Sequence, residues 1–334
     1  MKKPAAVLAV LAVVGLAAVL IYDAVYNKTA ETSFFAMNTY TAAQVKGQTA
    51  DSDCEMIEKI VSRLDTEVLS RTSEDSLIYK INSSGEGRLD EAAAEYFSAL
   101  LDVCEKSGGA FDITLGAVSD LWGFGGNPSV PDEAALSETL SHSGCEKVNL
   151  SNGKITLGDP EAVLDFGAAG KGIALDAVKS YLDTQKSKRA VVSVGGSVLL
   201  YGEGEFTVGI RNPEGNSTDC IANLHITEGC VSTSGIYEQN FEEGGKTYHH
   251  ILDPETGYPV DNGLISVTVI SDSGLLSDAL STACFVLGIE KGFELAREYG
   301  ATVFFVSEDK TIYALSDSAD LLELNDPDYK INEF

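Results

Sequence analysis

Two hydrophobic rhythms run through this chain, and they do not alternate one for one. A helical period marks residues 53–69, where Met56, Ile60, Leu64 and Val68 share one stripe, and it returns at 90–108, at 173–186 and in two consecutive segments, 275–288 and 291–300. Apolar, β-branched or alternating runs mark 34–47, 162–166, 190–202, 205–213, a series from 221 to 270, and a closing hairpin over 301–317. Asn152-Gly153, inside 148–157, is a strong hairpin dipeptide. Strand-like segments arrive in runs between helices, which excludes a regular βαβ wind. The predicted class is α+β: mixed, largely antiparallel sheets flanked by helices. The sequence contains no internal repeat and no heptad run. Its 334 residues suffice for one large or two medium domains with a sizeable core.

The first residues differ from the rest. Lys2 and Lys3 precede an uncharged run from Pro4 to Tyr22, long enough to span a bilayer as a helix. Positive charge ahead of the run predicts an N-inside orientation. The expectation is an uncleaved single-pass anchor at the cell membrane with an extracytoplasmic domain beyond it; a cleaved signal peptide is the rival. No cysteine closes the run, which argues against a lipid anchor. The chain therefore divides into an N-terminal segment (1–28), a globular domain (33–320) and a polar tail (321–334) that is expected to be peripheral.

A formal net charge of −28 sets the chain against nucleic-acid phosphates. Its six cysteines are scattered, with no C-x-x-C pair to suggest structural zinc. Cys54, Cys104 and Cys284 lie on apolar stripes of expected helices, so free, buried thiols are predicted.

Four stretches have the composition of a site. "LDFGAAGKG" (164–172) passes from strand through glycines into a helix and carries Lys171, as a phosphate-binding turn does, although its spacing is not that of a Walker loop. A tight strand-to-helix turn accounts for it equally. In "SDALSTACFVLG" (277–288), Asp278 and Thr282 stand four apart on one helix face, a hard-oxygen pair suited to Mg²⁺; helix capping is the plainer account. "GGAFDITLGAVSDLWGFG" (108–125) holds the only tryptophan, with Phe111 and Phe124, either flanking a planar ring or packing a core. "VSTSGIYEQNFEEGGKTYHHILDP" (231–254) gathers hydroxyls and two of the four histidines, His249 and His250. Neighbouring side chains on an extended chain point to opposite faces, so at most one of the pair serves a given site.

In this order, "AMNTYTAAQVKG", "AFDITLGAVSDLWGFG", "LDFGAAGKGIALDAV", "VVSVGGSVLLYG", "VGIRNPEG", "VSTSGIYEQNF", "YHHILDPETGYPV" and "SDALSTACFVLG" resemble the ApbE family, the FAD:protein FMN transferases, over roughly residues 34–316. The resemblance implies an ApbE-like α+β fold, with FAD as substrate, Mg²⁺ as cofactor, and transfer of FMN to a Thr or Ser hydroxyl of an acceptor flavoprotein with release of AMP. It implies Mg²⁺ ligation by Asp278, Thr282 and the backbone carbonyl of Ala168. Met37, Ala110, Phe111, Asp112, Asp165, Lys171 and Ile251 would line the FAD site, and His250, directly before "ILDP", would be the catalytic base. Thr72 is assigned to the FAD site as well, although many relatives carry a tyrosine there near the flavin, a departure from the pattern. The N-terminus also lacks the lipobox cysteine of many relatives. An Mg²⁺-dependent FAD pyrophosphatase releasing FMN and AMP, or a non-catalytic extracellular flavin-binding protein, are the alternatives. The acceptor implied is exported or membrane-bound.

Overall fold

The computed structural model describes residues 26–216 and 218–334. Nine strands make its central sheet, and they stand in it in chain order. They are β1 (Thr29–Ala36), β2 (Thr39–Gly47), β3 (Ser187–Val194), β4 (Ser197–Gly202), β5 (Gly229–Gly235), β6 (Leu264–Ser271), β7 (Thr302–Ser307), β8 (Thr311–Ala314) and β9 (Lys330–Glu333). Neighbours are antiparallel throughout, except that β9 lies parallel to β8. The helices are α1 (Ala50–Arg63), α2 (Leu77–Ser84), α3 (Glu91–Lys106), α4 (Gly116–Trp122), α5 (Glu133–Ser141), α6 (Gly170–Leu182), α7 (Gly274–Leu287) and α8 (Ile289–Glu298). The mixed, largely antiparallel α+β expectation is met.

Alternation decides which face is covered. In β2, Thr41, Ala43 and Val45 point inward while Tyr40, Ala42, Gln44 and Lys46 meet solvent. The inward set joins Val192 and Val194 of β3 against Cys54, Ile57 and Val61 of α1 and Ala174, Leu175 and Val178 of α6. Full burial of one such aliphatic side chain is worth about 1.5–3 kcal/mol, so this layer fixes α6 against the sheet. Across part of the opposite face, a small sheet of Phe206–Arg211, Cys220–Ile226 and Leu322–Leu324 packs on Leu200, Val231, Phe304 and Val306.

Several boundaries differ from the sequence reading. The single strand expected over 34–47 is a hairpin, reversed at Met37 and Asn38 (φ 52° and 55°), the two positive-φ positions of a tight turn whose twist matches its strands. The helix expected to 69 is α-helical to Arg63 and continues as a wider π-helical turn, Leu64–Leu69. The segment 71–87, polar in composition, contains α2, started by Ser76 accepting from the Tyr79 amide. Residues 162–166 form no strand; Val163 makes one isolated bridge to Leu115. The tail is not merely peripheral. Leu322–Leu324 joins the small sheet, Tyr329 is buried, and β9 closes the edge of the main sheet. All six cysteines are free. Among the described residues no helix is long and apolar enough to cross a membrane, and the run Pro4–Tyr22 lies outside them.

Candidate active site

The first turn of α6 runs against the first turns of α7 closely enough that each helix caps the other. From α6, Asp176 accepts from Ser273 Oγ (2.8 Å), Gly274 N (2.5 Å) and Leu275 N (2.9 Å), satisfying the start of α7. From α7, Asp278 Oδ2 accepts from the Gly172 amide in the first turn of α6 (2.9 Å). Asp278 Oδ1 accepts from Ser197 Oγ (3.0 Å), and Lys171 Nζ stands 3.5 Å from that same oxygen. Asp278 is a buried carboxylate. Burial opposes charge on Lys171, but Asp278, Glu238 and Asp165 outweigh it and hold the ammonium above the usual lysine range. Asp278 does not cap its own helix, which Ser273 starts by accepting from the Leu276 amide; it caps α6 instead.

Strand β5 aligns with α7 through hydroxyls. Ser232 bonds Ser277 (2.9 Å), and Ser234 bonds Ser281 (2.8 Å) and Thr282 (3.1 Å). Two strand residues advance ~6.6 Å and four helical residues ~6.0 Å, so a Ser-x-Ser strand keeps step with an i, i+4 helix face. This is the physical content of "VSTSG", and it holds Thr282 one turn beyond Asp278 on the same face. Asp278, Thr282 and the carbonyl of Ala168, in the loop entering α6, are all oxygen donors and suit a hard cation such as Mg²⁺. Among the described residues no three His, Cys, Asp or Glu side chains form a metal cluster. The proposed set, with one carboxylate, does not require one.

The loop before α6 is tied to the "AFDIT" segment. Asp165 N donates to Ile113 O (2.8 Å), and Gly116 N to Val163 O (3.0 Å). Asp165 folds back to accept from Gly167 N (2.8 Å) and pairs with Arg71 Nε (2.9 Å), whose other arm holds Asp120 (2.7 Å). Thr72, next to Arg71, is exposed and bonded only locally to Ser70. Asp112 Oδ1 accepts from Thr114 N (2.7 Å), Thr114 Oγ1 (2.6 Å) and Cys145 Sγ (3.2 Å), which fixes the carboxylate; Phe111 beside it is buried, and Ala110 is partly exposed. Met37, held by its amide to Asp65 (2.8 Å), reaches the start of α6: its Cε lies 3.7 Å from where a Cβ on Gly170 would be.

The adjacent histidines have different partners. His249 is buried; its Nε2 donates to Val260 O (2.9 Å) and its Nδ1 accepts from Ile251 N (3.3 Å), so both ring nitrogens are spent inside the fold. His250 Nδ1 meets Gln239 O (3.2 Å). A carbonyl only accepts, so Nδ1 carries the proton and Nε2 of the neutral ring keeps a lone pair. Burial pushes the His250 pKa down to about 4, helped by the charge of nearby Lys171 and only partly opposed by the Gln239 bond. Ile251 is buried and takes the Val260 amide on its carbonyl (3.0 Å).

A profile of the ApbE family matches residues 37–305 of this chain. The chain belongs to the ApbE family. The FAD:protein FMN transferase of Treponema pallidum (strain Nichols) is 34% identical over 284 residues, covering 78% of this chain and 78% of that protein. That of Escherichia coli (strain K12) is 32% identical over 289 residues, covering 82% of each. The crystal structure of the ApbE protein of Thermotoga maritima superposes with a TM-score of 0.80 at 30% identity, over 88% of this chain and 99% of that one.

Within this ApbE chain Trp122 and Phe124 pack a core rather than flank a ring. Trp122 is fully buried among Phe124 (5.8 Å between centroids), Tyr248 (5.5 Å) and Tyr258 (5.6 Å), and its Nε1 donates to Gly257 O (2.8 Å). That cluster grips both the strand leading into the histidines and the turn after them. Sequence reasoning missed Ser197, Ser234, Arg71 and Glu238. The "GGS" tip of the β3–β4 hairpin was the available signal for Ser197, because a turn that tight projects its next side chain from a fixed position.

Proposed function

We propose that this chain is an FAD:protein FMN transferase that uses Mg²⁺ to move FMN from FAD to a Thr or Ser hydroxyl of an acceptor flavoprotein, releasing AMP. The observation that carries the reading is a buried carboxylate, Asp278, beside Lys171, whose charge also acts on His250, a histidine with an uncommitted Nε2 lone pair. The names of the related proteins and the family membership support it.

Asp278, Thr282 and the Ala168 carbonyl would hold Mg²⁺, which neutralises pyrophosphate charge as AMP departs. Lys171 provides positive charge for the FAD phosphates. Met37, Ala110, Phe111, Asp112, Asp165 and Ile251 line the approach. The acceptor oxygen attacks the FMN phosphorus, the phosphoanhydride bond to AMP breaks, and the hydroxyl proton passes to His250 Nε2. Incoming phosphate charge raises the pKa of His250 from its low resting value towards the range where a base is most effective.

The acceptor in this reading is exported or membrane-bound, and the Pro4–Tyr22 run holds the catalytic domain at the outer side of the cell membrane. Incubation with FAD, Mg²⁺ and candidate acceptors, followed by intact-mass measurement, tests the transfer. A covalent FMN on Thr or Ser supports it. Release of FMN and AMP with every acceptor unmodified would make the protein a pyrophosphatase, and FAD retention without turnover a binding protein.

A further inference from the structure

Lys171 is the charged neighbour of Asp278. The carboxylate already serves two fixed donors, Gly172 N on Oδ2 (2.9 Å) and Ser197 Oγ on Oδ1 (3.0 Å). The Lys171 ammonium also stands 3.5 Å from Oδ1, with side-chain exposures of 23% for the lysine and 6% for the aspartate. The same ammonium donates to Gly167 O (3.3 Å), in the loop between Asp165 and α6. A lysine stem swings about such an anchor at little cost, whereas Asp278 is pinned by both donors.

We propose that Lys171 is the resident counter-cation of Asp278 in the ligand-free protein, and that it yields this place to Mg²⁺ only when FAD phosphate is there to receive it. The inference rests on the metal reading above and adds to it. A divalent ion arriving alone must force the ammonium away from its closest carboxylate and remain near that positive charge. With pyrophosphate present, the lysine exchanges one anion for another. Mg²⁺ and FAD then bind cooperatively, each strengthening the other by the same factor. Lys171 is a positioning residue for the metal as well as a contact for the substrate.

The test is titration of folded protein with Mg²⁺ by calorimetry and with Mn²⁺ by electron paramagnetic resonance, with and without FAD and with no acceptor. Wild type should bind metal weakly alone and more tightly with FAD. Lys171→Gln and Lys171→Met should bind metal alone roughly ten-fold or more tighter than wild type, the effect of removing one charge close to a divalent ion in a partly buried site. In both variants the enhancement by FAD should shrink, and Lys171→Arg should restore it. Metal affinity without FAD that is unchanged or weaker in both neutral variants overturns the exchange. Metal binding that Asp278→Asn leaves intact would instead overturn the metal site itself, so the two failures are distinct.

Discussion

His249 and His250 are neighbours in sequence, yet the first spends both ring nitrogens on Val260 O and Ile251 N while the second keeps its Nε2 lone pair. The expected outcome is asymmetric. His250→Ala should retain FAD and metal binding and lose about 10²- to 10⁴-fold in flavin transfer, the usual worth of a general base. His249→Ala should transfer at near the wild-type rate per folded molecule but melt earlier, because it leaves a buried carbonyl and amide unpaired. Transfer rates and melting curves on both variants check this. A His249 variant that folds well and is catalytically dead, beside an active His250 variant, would reverse the assignment.

Burial places His250 at about 4, below the ordinary 6.5, and lowers His249 in the same direction. The unfolded chain therefore takes up protons between pH 6.5 and about 4 that the folded chain does not. Stability from this source is complete above pH 6.5 and declines as pH falls towards about 4. Denaturant midpoints at pH 7.5 and 5 should differ less in His250→Gln than in wild type. Parallel losses would show that His250 is not the coupled group.

The parts of the site legible in the sequence were those where one residue type has one chemistry. Asp278 and Thr282 at i, i+4 and Lys171 after its glycines could be named from chemistry and spacing in the sequence itself, whereas the choice of His250 over His249 rested on the resemblance to the ApbE family. Ser197 and Ser234 could not be named, because a serine in a strand reads as filler until the helix it bonds is seen across from it. Met37-Asn38 carries no glycine to mark a hairpin in the sequence, although both residues adopt positive φ. Polarity alone makes the tail look peripheral. A strand at the sheet edge needs few apolar side chains, and β9 gains its place by backbone pairing with β8.

Asp278 has two duties, so its replacement must separate them. Asp278→Ala removes the only charged ligand proposed for Mg²⁺ and also the acceptor for Gly172 N and Ser197 Oγ. Asp278→Asn keeps an oxygen for the cap and loses the charge. It should melt closer to wild type than the alanine variant while losing Mg²⁺ affinity nearly as severely. Thr282→Val should weaken Mg²⁺ less, because a neutral hydroxyl contributes less to a hard cation. Full activity of Asp278→Asn at low Mg²⁺ would dismiss this carboxylate as a ligand.

Removal of residues 1–28 deletes the Pro4–Tyr22 run and stops before β1 begins at Thr29. Full-length protein should sediment with membranes and the truncated form should be soluble, with unchanged turnover of FAD. Intact-mass detection of cleavage after Tyr22 in cells would replace the anchor by a signal peptide.

The glycines of "GAAGKG" invite one explanation from the sequence, close approach of a phosphate, and the structure divides them. A Cβ on Gly172 would lie 2.0 Å from Gly274 O and 2.8 Å from Asp278 Cβ; one on Gly274 would lie 2.4 Å from Gly172 O. The two backbones touch, and neither obstacle is a flexible chain end that can move aside. Gly172→Ala must therefore separate α6 from α7, breaking the amide bond to Asp278 and straining the Asp176 cap. Overpacking of this kind typically costs about 1–3 kcal/mol, and backbone contact puts this site at the upper end. Gly170→Ala is different: the new Cβ would meet only Leu69 Cδ1 and Met37 Cε, both at an ordinary 3.7 Å. Alanine also favours a helix over glycine by about 1 kcal/mol, so this variant should melt no earlier than wild type. Its measurable loss should be in FAD affinity, because the new methyl stands beside Met37 at the opening of α6. Thermal melts and FAD titrations on the two variants decide the matter. A stable Gly172→Ala, or a Gly170→Ala that unfolds early and binds FAD normally, would show that the roles assigned to these glycines are exchanged.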